Sequence, residues 1–284
     1  MSTHVSGQPI HISKNTHLAE PIQVILNSSA PLQVTLDEHA QATLVLNDST
    51  HANSAQDLHN LIEVTLGEGA DLDFLLIQRG ETVKRSVTSR FALGRSSRLR
   101  ALSFIQDGTL TKNEIHVDFK GEGAEASLKG LSVLEGVSEA YHKVTANHAA
   151  AHCQSVQFYK SIVGDRAKSG FESLVWVHPG AQKSDSRQLS RNLLLSDFAT
   201  ATAQPDLKIL ADDVSCAHGA TVGQLDKDEL FYLQSRGLSK DVARFVLTYG
   251  FAEEILEDIR DTGLKNTLEA LVRAELASLL KVEI

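Results

Sequence analysis

Cysteine is nearly missing from this chain, with only Cys153 and Cys216 among 284 residues. That excludes a disulfide framework and fits a reducing compartment. Proline (five residues) and aromatic side chains (5%) are scarce as well. Together with many Ala, Leu, Val, Ser and Thr, this composition suits repeated strands whose small side chains stack in a narrow core. No apolar run approaches the length of a membrane span. The first residues carry no charged segment followed by an apolar one, so no secretory signal is expected. The expected location is the cytoplasm. Positive charge is in short supply too, 27 Lys and Arg against 36 Asp and Glu for a formal net charge of -9. A phosphate backbone would be repelled, and nucleic acid is not an expected partner. The basic clusters Lys84-Arg85 and Arg95, Arg98, Arg100 lack interleaved aromatics and are read as solvated strand edges.

The chain is long enough to bury a core, as one large domain or two small ones. From about residue 20 it falls into short alternating segments such as 23–26, 32–36 and 42–46, each followed by a polar break and read as a half-buried strand. Glycine turns then recur at a fixed interval. Gly67-Glu68-Gly69-Ala70-Asp71-Leu72, Gly94-Arg95-Ser96-Ser97-Arg98-Leu99 and Gly121-Glu122-Gly123-Ala124-Glu125-Ala126 begin 27 residues apart. Each is followed by a strand (72–78, 99–106, 126–134), a polar break and a second strand (82–91, 109–119, 140–146). Two strands per repeat, stacked rung on rung, predict a mainly β fold, a right-handed parallel β-helix. An antiparallel sandwich would also give short strands, but it has no reason to keep its turn chemistry at constant period. The repeat continues more loosely through 158–162, 170–177, 188–195 and 207–210.

Near residue 226 the apolar period becomes helical. Asp226 and Glu229 have the spacing of a cap and its partner, and Arg236-Gly237 is a stop, which predicts a helix over 226–236. Ser239 is read as the cap of a second helix reaching about Arg260, and Leu264, Leu268, Leu271, Val272, Leu276, Leu279 and Leu280 mark one face of a third. The expected organisation is a β-helix core over residues 1–225 and a small helical bundle over 226–284, attached at the end of the solenoid.

One segment stands apart. If Ala211 to Asp226 contains a strand, Cys216 and His218 project from the same face with Cα atoms about 6.7 Å apart, and could share one soft metal ion. Two ligands do not close a site, since a structural zinc or a stable cluster normally needs four. Either the pair is inert, a small buried thiol beside a hydrogen-bonding histidine, or a partner supplies the rest.

The flanking residues go further. Asp212-Asp213-Val214-x-Cys216-x-His218-Gly219-Ala220-Thr221-Val222-Gly223-x-Leu225-Asp226, followed by Glu229-Leu230-Phe231-Tyr232-Leu233-Gln234-Ser235-Arg236-Gly237-Leu238, closely resembles the SufB/SufD family of iron-sulfur cluster assembly scaffold proteins. Asn192-Leu193-Leu194-Leu195-Ser196, Ala203-x-Pro205-x-Leu207-x-Ile209 and Ser155-x-Gln157-x-Tyr159-Lys160 are similar to the same family. The SufB branch carries a His-Glu-Ala run and a cysteine after the Phe-Tyr pair, where this chain has His218-Gly219-Ala220 and Leu233, so the resemblance is to the SufD branch. It implies a scaffold subunit of the SUF complex that is not an enzyme on its own. Such a subunit pairs with SufB through the last strands of the two β-helices and binds SufC, an ABC-type ATPase, through its C-terminal helices; a homodimer is implied as possible when the chain is isolated. It also implies a transient iron-sulfur cluster at the SufB/SufD interface, with none tightly bound to the isolated chain. Carried over, His218 is the metal or cluster contact, Cys216 a nearby thiol, and Leu230, Phe231, Phe245, Tyr249 and Phe251 lie on the partner-binding helices. SufD chains usually have a helical domain ahead of the solenoid, which is not expected here, where strands are read almost from the start.

The competing reading is a carbohydrate-active β-helix enzyme using acid pairs such as Asp71 and Asp73, Glu122 and Glu125, or Asp212 and Asp213. All sit at predicted turns or strand starts, where solvated acids are expected without function. His142, His148 and His152 are read as edge or turn residues between rungs. Cys153 is read as facing the narrow core, and Trp176 as a core or interface aromatic.

Overall fold

The computed structural model describes residues 3–5, 7–26, 28–49, 58–80, 84–257 and 259–282. In chain order the strands are β1 (Thr3–Val5), β2 (Ile10–Ile12), β3 (Ile22–Ile25), β4 (Leu32–Leu36), β5 (Gln41–Ser49), β6 (Leu58–Leu66), β7 (Asp71–Arg79), β8 (Lys84–Leu93) and β9 (Arg98–Gln106). They continue as β10 (Leu110–Phe119), β11 (Glu125–Leu134), β12 (Glu139–His148), β13 (Gln154–Val163), β14 (Lys168–Val177), β15 (Asp185–Leu194), β16 (Thr200–Ile209) and β17 (Ser215–Gly223). Three helices follow, α1 (Lys227–Ser235), α2 (Lys240–Glu253) and α3 (Thr262–Leu280).

Successive strands alternate between two sheets. The odd-numbered strands form one sheet of nine in sequence order, the even-numbered strands a sheet of eight, and the pairings are parallel. A ladder in which each strand joins the next but one makes the chain a coil that visits both sheets once per turn, the expected parallel β-helix. Strands begin before the expected residue 20, and the first two positions of the expected strand 82–91 lie outside the described residues.

One corner of every coil is closed by the same device. Asn15, His39, Gly69, Ser96, Gly123, His152 and Lys183 all have φ between 52° and 71°. Each donates its N–H to the carbonyl one coil further on, Asn15 to Glu38, His39 to Glu68, Gly69 to Arg95, Ser96 to Glu122, Gly123 to Ala151, His152 to Gln182 and Lys183 to Asp213. A column of left-handed residues therefore runs along the solenoid. Glycine fills two of its places, and Asn, His, Ser and Lys tolerate the rest. The interval is 27 residues from Gly69 to Ser96 and from Ser96 to Gly123, but 24 from Asn15 to His39, 30 from His39 to Gly69, 29 from Gly123 to His152 and 31 from His152 to Lys183. Beside this column the coils approach closely: a Cβ on Gly121 would lie 2.0 Å from the Arg95 nitrogen.

The helices follow the last strand but do not all stand clear of the solenoid: α2 and α3 fold back over the outer face of the odd-numbered sheet, while α1 packs on α2 with no buried residue. Leu268, Val272, Leu276 and Leu280, four residues apart on α3, are buried in one cluster with Leu75, Ile77, Leu102, Phe104, Leu131 and Val133. This explains why β7 and β9 lose their alternation and bury both faces. Each such side chain contributes about 2 kcal/mol by its burial. Polar ties flank the apolar seam. Arg260 holds Asp71 and Asp73 at 2.9 Å, and Arg79 approaches Glu275 at 3.8 Å. Buried Lys160 bonds Glu254 and donates to the Phe251 carbonyl at 2.7 Å. That lysine caps the last turn of α2, which stops at Glu253 and not near Arg260. Two basic residues expected at solvated edges also differ: Arg85 is buried against Asp48, and Arg100 is three-quarters buried between Asp71 and Asp73.

Candidate functional site

Among the described residues the sheets end at both the first and the last coil, and the last coil carries the segment that stood apart in the sequence. β16 and β17 end their sheets, so among the described residues no strand pairs with their outer edges. Register then decides what that end presents. The inward row through Cys216 runs Leu72, Leu99, Ala126, Ser155, Ser186, Cys216, and the row through His218 runs Phe74, Ala101, Leu128, Gln157, Gln188, His218. Both rows are apolar up to β11 and polar from β13 onward.

These polar groups sit in the interior and partner one another, as burial requires. The His148 ring meets the Ser155 hydroxyl at 2.8 Å, and Ser155 meets Ser186 at 2.8 Å. Ser173 donates to Gln157 and accepts from the Gln188 amide at 2.5 Å. His142 lies between Ser132 at 3.0 Å and Asn113 at 3.3 Å. His142 and His148 are therefore interior residues, not the edge or turn residues that the sequence suggested. Burial depresses them to about 3 and about 4, so both are neutral. His152 does sit in a turn, at the left-handed corner, and Cys153 faces the core with its thiol pushed up by burial.

Cys216 and His218 share the inward face of β17, two residues apart as expected. Cys216 is half-buried against the core, and that burial raises its thiol above the ordinary value. His218 is exposed. Among the described residues no group of three or more His, Cys, Asp or Glu side chains is arranged to hold a metal. The pair alone thus offers two ligands at most. Five of the six acids weighed for an enzyme are in ion pairs: Asp71 and Asp73 with Arg100 and Arg260, Glu122 with Arg95, Glu125 with Arg98, and Asp213 with Lys183. Trp176 lies on the outer face of the even-numbered sheet, stacked on His178 with Lys208 4.1 Å from its ring.

The five residues read as partner-binding separate into two groups. Leu230 is half-buried and Phe231 is 71% exposed on α1, a helix with no buried residue. Phe245 and Tyr249 are buried on α2, and Phe251 is half-buried with the Lys160 ammonium 4.4 Å from its ring. Sequence reasoning missed Tyr232 on α1 and Val242 and Val246 on α2, which are 56%, 38% and 43% exposed. Their signal was a second apolar face on the two helices.

Residues 25–251 match the family described as SUF system FeS cluster assembly, SufBD core domain. The chain belongs to the SufBD core family. It is 31% identical to an iron-sulfur cluster assembly SufBD family protein of Synechocystis over 93% of this chain and 62% of that protein. The iron-sulfur cluster assembly protein SufD of Escherichia coli is 29% identical over 84% of this chain and 56% of its own length, and that of Bacillus subtilis 27% identical over 94% and 63%. The chain thus spans under two thirds of the length of these relatives. Within this SufBD core, none of the described helices is long and apolar enough to cross a membrane.

Proposed function

We propose that this chain is a SufD-like scaffold of iron-sulfur cluster assembly whose open solenoid end is one half of a cluster-building site, the other half being supplied by SufB. The observation that carries the reading is the end of the polar interior at Cys216 and His218 on a strand whose outer edge is unpaired, a half-site of soft ligands beside free backbone donors and acceptors. The cluster is cargo held between two chains, so a pair of ligands on each is what the task requires. His218 is the primary contact because it is exposed, while Cys216 is half-buried with a raised thiol and acts as an auxiliary ligand.

The helical region 226–284 is the binding region for the SufC ATPase, with the solenoid through residue 225 as the scaffold proper. Phe231 and Leu230, joined by Tyr232, Val242 and Val246, form the contact surface. Phe245, Tyr249 and Phe251 support it from below by fixing α2 to the sheet. The chain acts as a cytoplasmic subunit without turnover of its own, and pairs with a second copy when SufB is absent.

Replacing His218 with alanine in a chain co-expressed with SufB and SufC tests the assignment. His218 breaks few contacts on an exposed rung, so the stability change stays near 0.5 kcal/mol and the complex still co-purifies. Cluster yield falls. A variant complex that builds clusters at the wild-type rate would make His218 structural.

A further inference from the structure

We propose that Gln188 is the positioning residue for His218: its buried amide oxygen accepts one imidazole N–H and leaves the other ring nitrogen free for metal. This rests on the reading of His218 as a ligand. Gln188 is the register partner of His218 on the preceding rung, and it is 2% exposed. Its orientation is fixed from one end, since the amide nitrogen donates to the Ser173 hydroxyl at 2.5 Å and to the Asp206 carbonyl at 3.4 Å. Turning the amide over would place oxygen against a carbonyl, which cannot donate. The amide oxygen is buried and without a hydrogen-bond partner.

Two donors are available to it. The Gln157 amide nitrogen, one rung below, is also buried and unpartnered. His218 is the register partner one rung above, with in-register neighbours about 4.8 Å apart across a ladder. A carbonyl oxygen has two lone pairs, so it can take Gln157 from below and His218 from above. Gln188 thereby ends the internal amide row in an acceptor aimed at the imidazole. Metal-ligating histidines need such a group, because an acceptor on one ring nitrogen sets the tautomer and turns the other nitrogen's lone pair outward.

The test is the ring nitrogen signature of His218 in nitrogen-15 histidine-labelled protein, measured by NMR at a pH where the ring is neutral, together with cluster yield of the co-expressed complex. In the wild-type chain His218 shows a single tautomer. In Gln188→Met, which keeps the volume and loses the acceptor, it relaxes to the mixture of a free imidazole, and cluster yield falls about tenfold. Should Gln188→Met fold poorly by circular dichroism, Gln188→Asn, too short to reach the ring, gives the same reading. An unchanged tautomer in a folded variant overturns the proposal. A tautomer that depends on Gln188, alongside a His218→Ala complex that builds clusters normally, keeps the hydrogen bond and overturns the ligand reading instead.

Discussion

His142 and His148 are neutral imidazoles sealed inside the solenoid, one between Ser132 and Asn113, the other on Ser155 with its ring stacked on Phe119 at 4.2 Å. Their folded values, about 3 and about 4, lie below the unfolded value near 6.5, so between these limits the unfolded chain binds more protons. Stability is therefore full above about pH 6.5 and declines as the pH falls, by about 1.4 kcal/mol per pH unit for each histidine until its folded value is reached. Chemical denaturation between pH 7 and pH 4.5 checks this: His148→Gln lowers overall stability but removes about half of the histidine-driven slope. An unchanged slope would mean that His148 is protonated in the folded chain. Neither burial was legible in the sequence. A histidine in an alternating segment points inward or outward according to register: His142 and His148, six apart on β12, share one face, but their spacing does not say that this face is the inner one, and His152 belongs to the next corner. Cys216 and His218 were legible as a same-face pair because strand periodicity alone puts residues two apart together. Gln157 and Gln188 were not, because their relation depends on a coil of 31 residues that no fixed period reveals.

At the scale of elements, the corner glycines exposed the repeat for a physical reason. Left-handed backbone is cheapest for glycine, and the coils around Gly69 and Gly123 meet that need in the sequence itself. Elsewhere His39, His152 and Lys183 take the same conformation and hide it, which is why the period faded after residue 126. The start of each helix was readable from its cap: Asp226 accepts from Asp228 and Glu229, and Ser239 from Val242. The end of α2 was not, since Lys160, 91 residues earlier, caps it. The same contacts change how the proposed SufC surface must be tested. Deleting 226–284 would uncover Leu75, Leu102, Phe104 and Leu131, so lost binding would report damage to the sheet. Phe231→Asp touches no core and leaves the melting temperature unchanged, while it weakens SufC binding in a pull-down or titration by tenfold or more, about 1.4 kcal/mol. Unaltered affinity would move the contact away from α1.

Across the whole molecule, the apolar coils and the helical layer on one face build a rod whose polar last coil is unpaired at its outer edge. The solenoid architecture was readable because coil-forming strands repeat locally. The docking of α2 and α3 across six strands was not, because an apolar helix face does not name the surface it covers. The central claim is that the unpaired end of this rod receives a second β-helix. Hydrogen–deuterium exchange of the chain alone and with SufB bound tests it most directly, read on the backbone amides of β16 and β17. The account predicts fast exchange on the open edges of Thr200–Ile209 and Ser215–Gly223 in the isolated chain at dilution, and strong protection of the same peptides on binding. Protection confined to other surfaces, with β16 and β17 still exchanging as in the free chain, would contradict it.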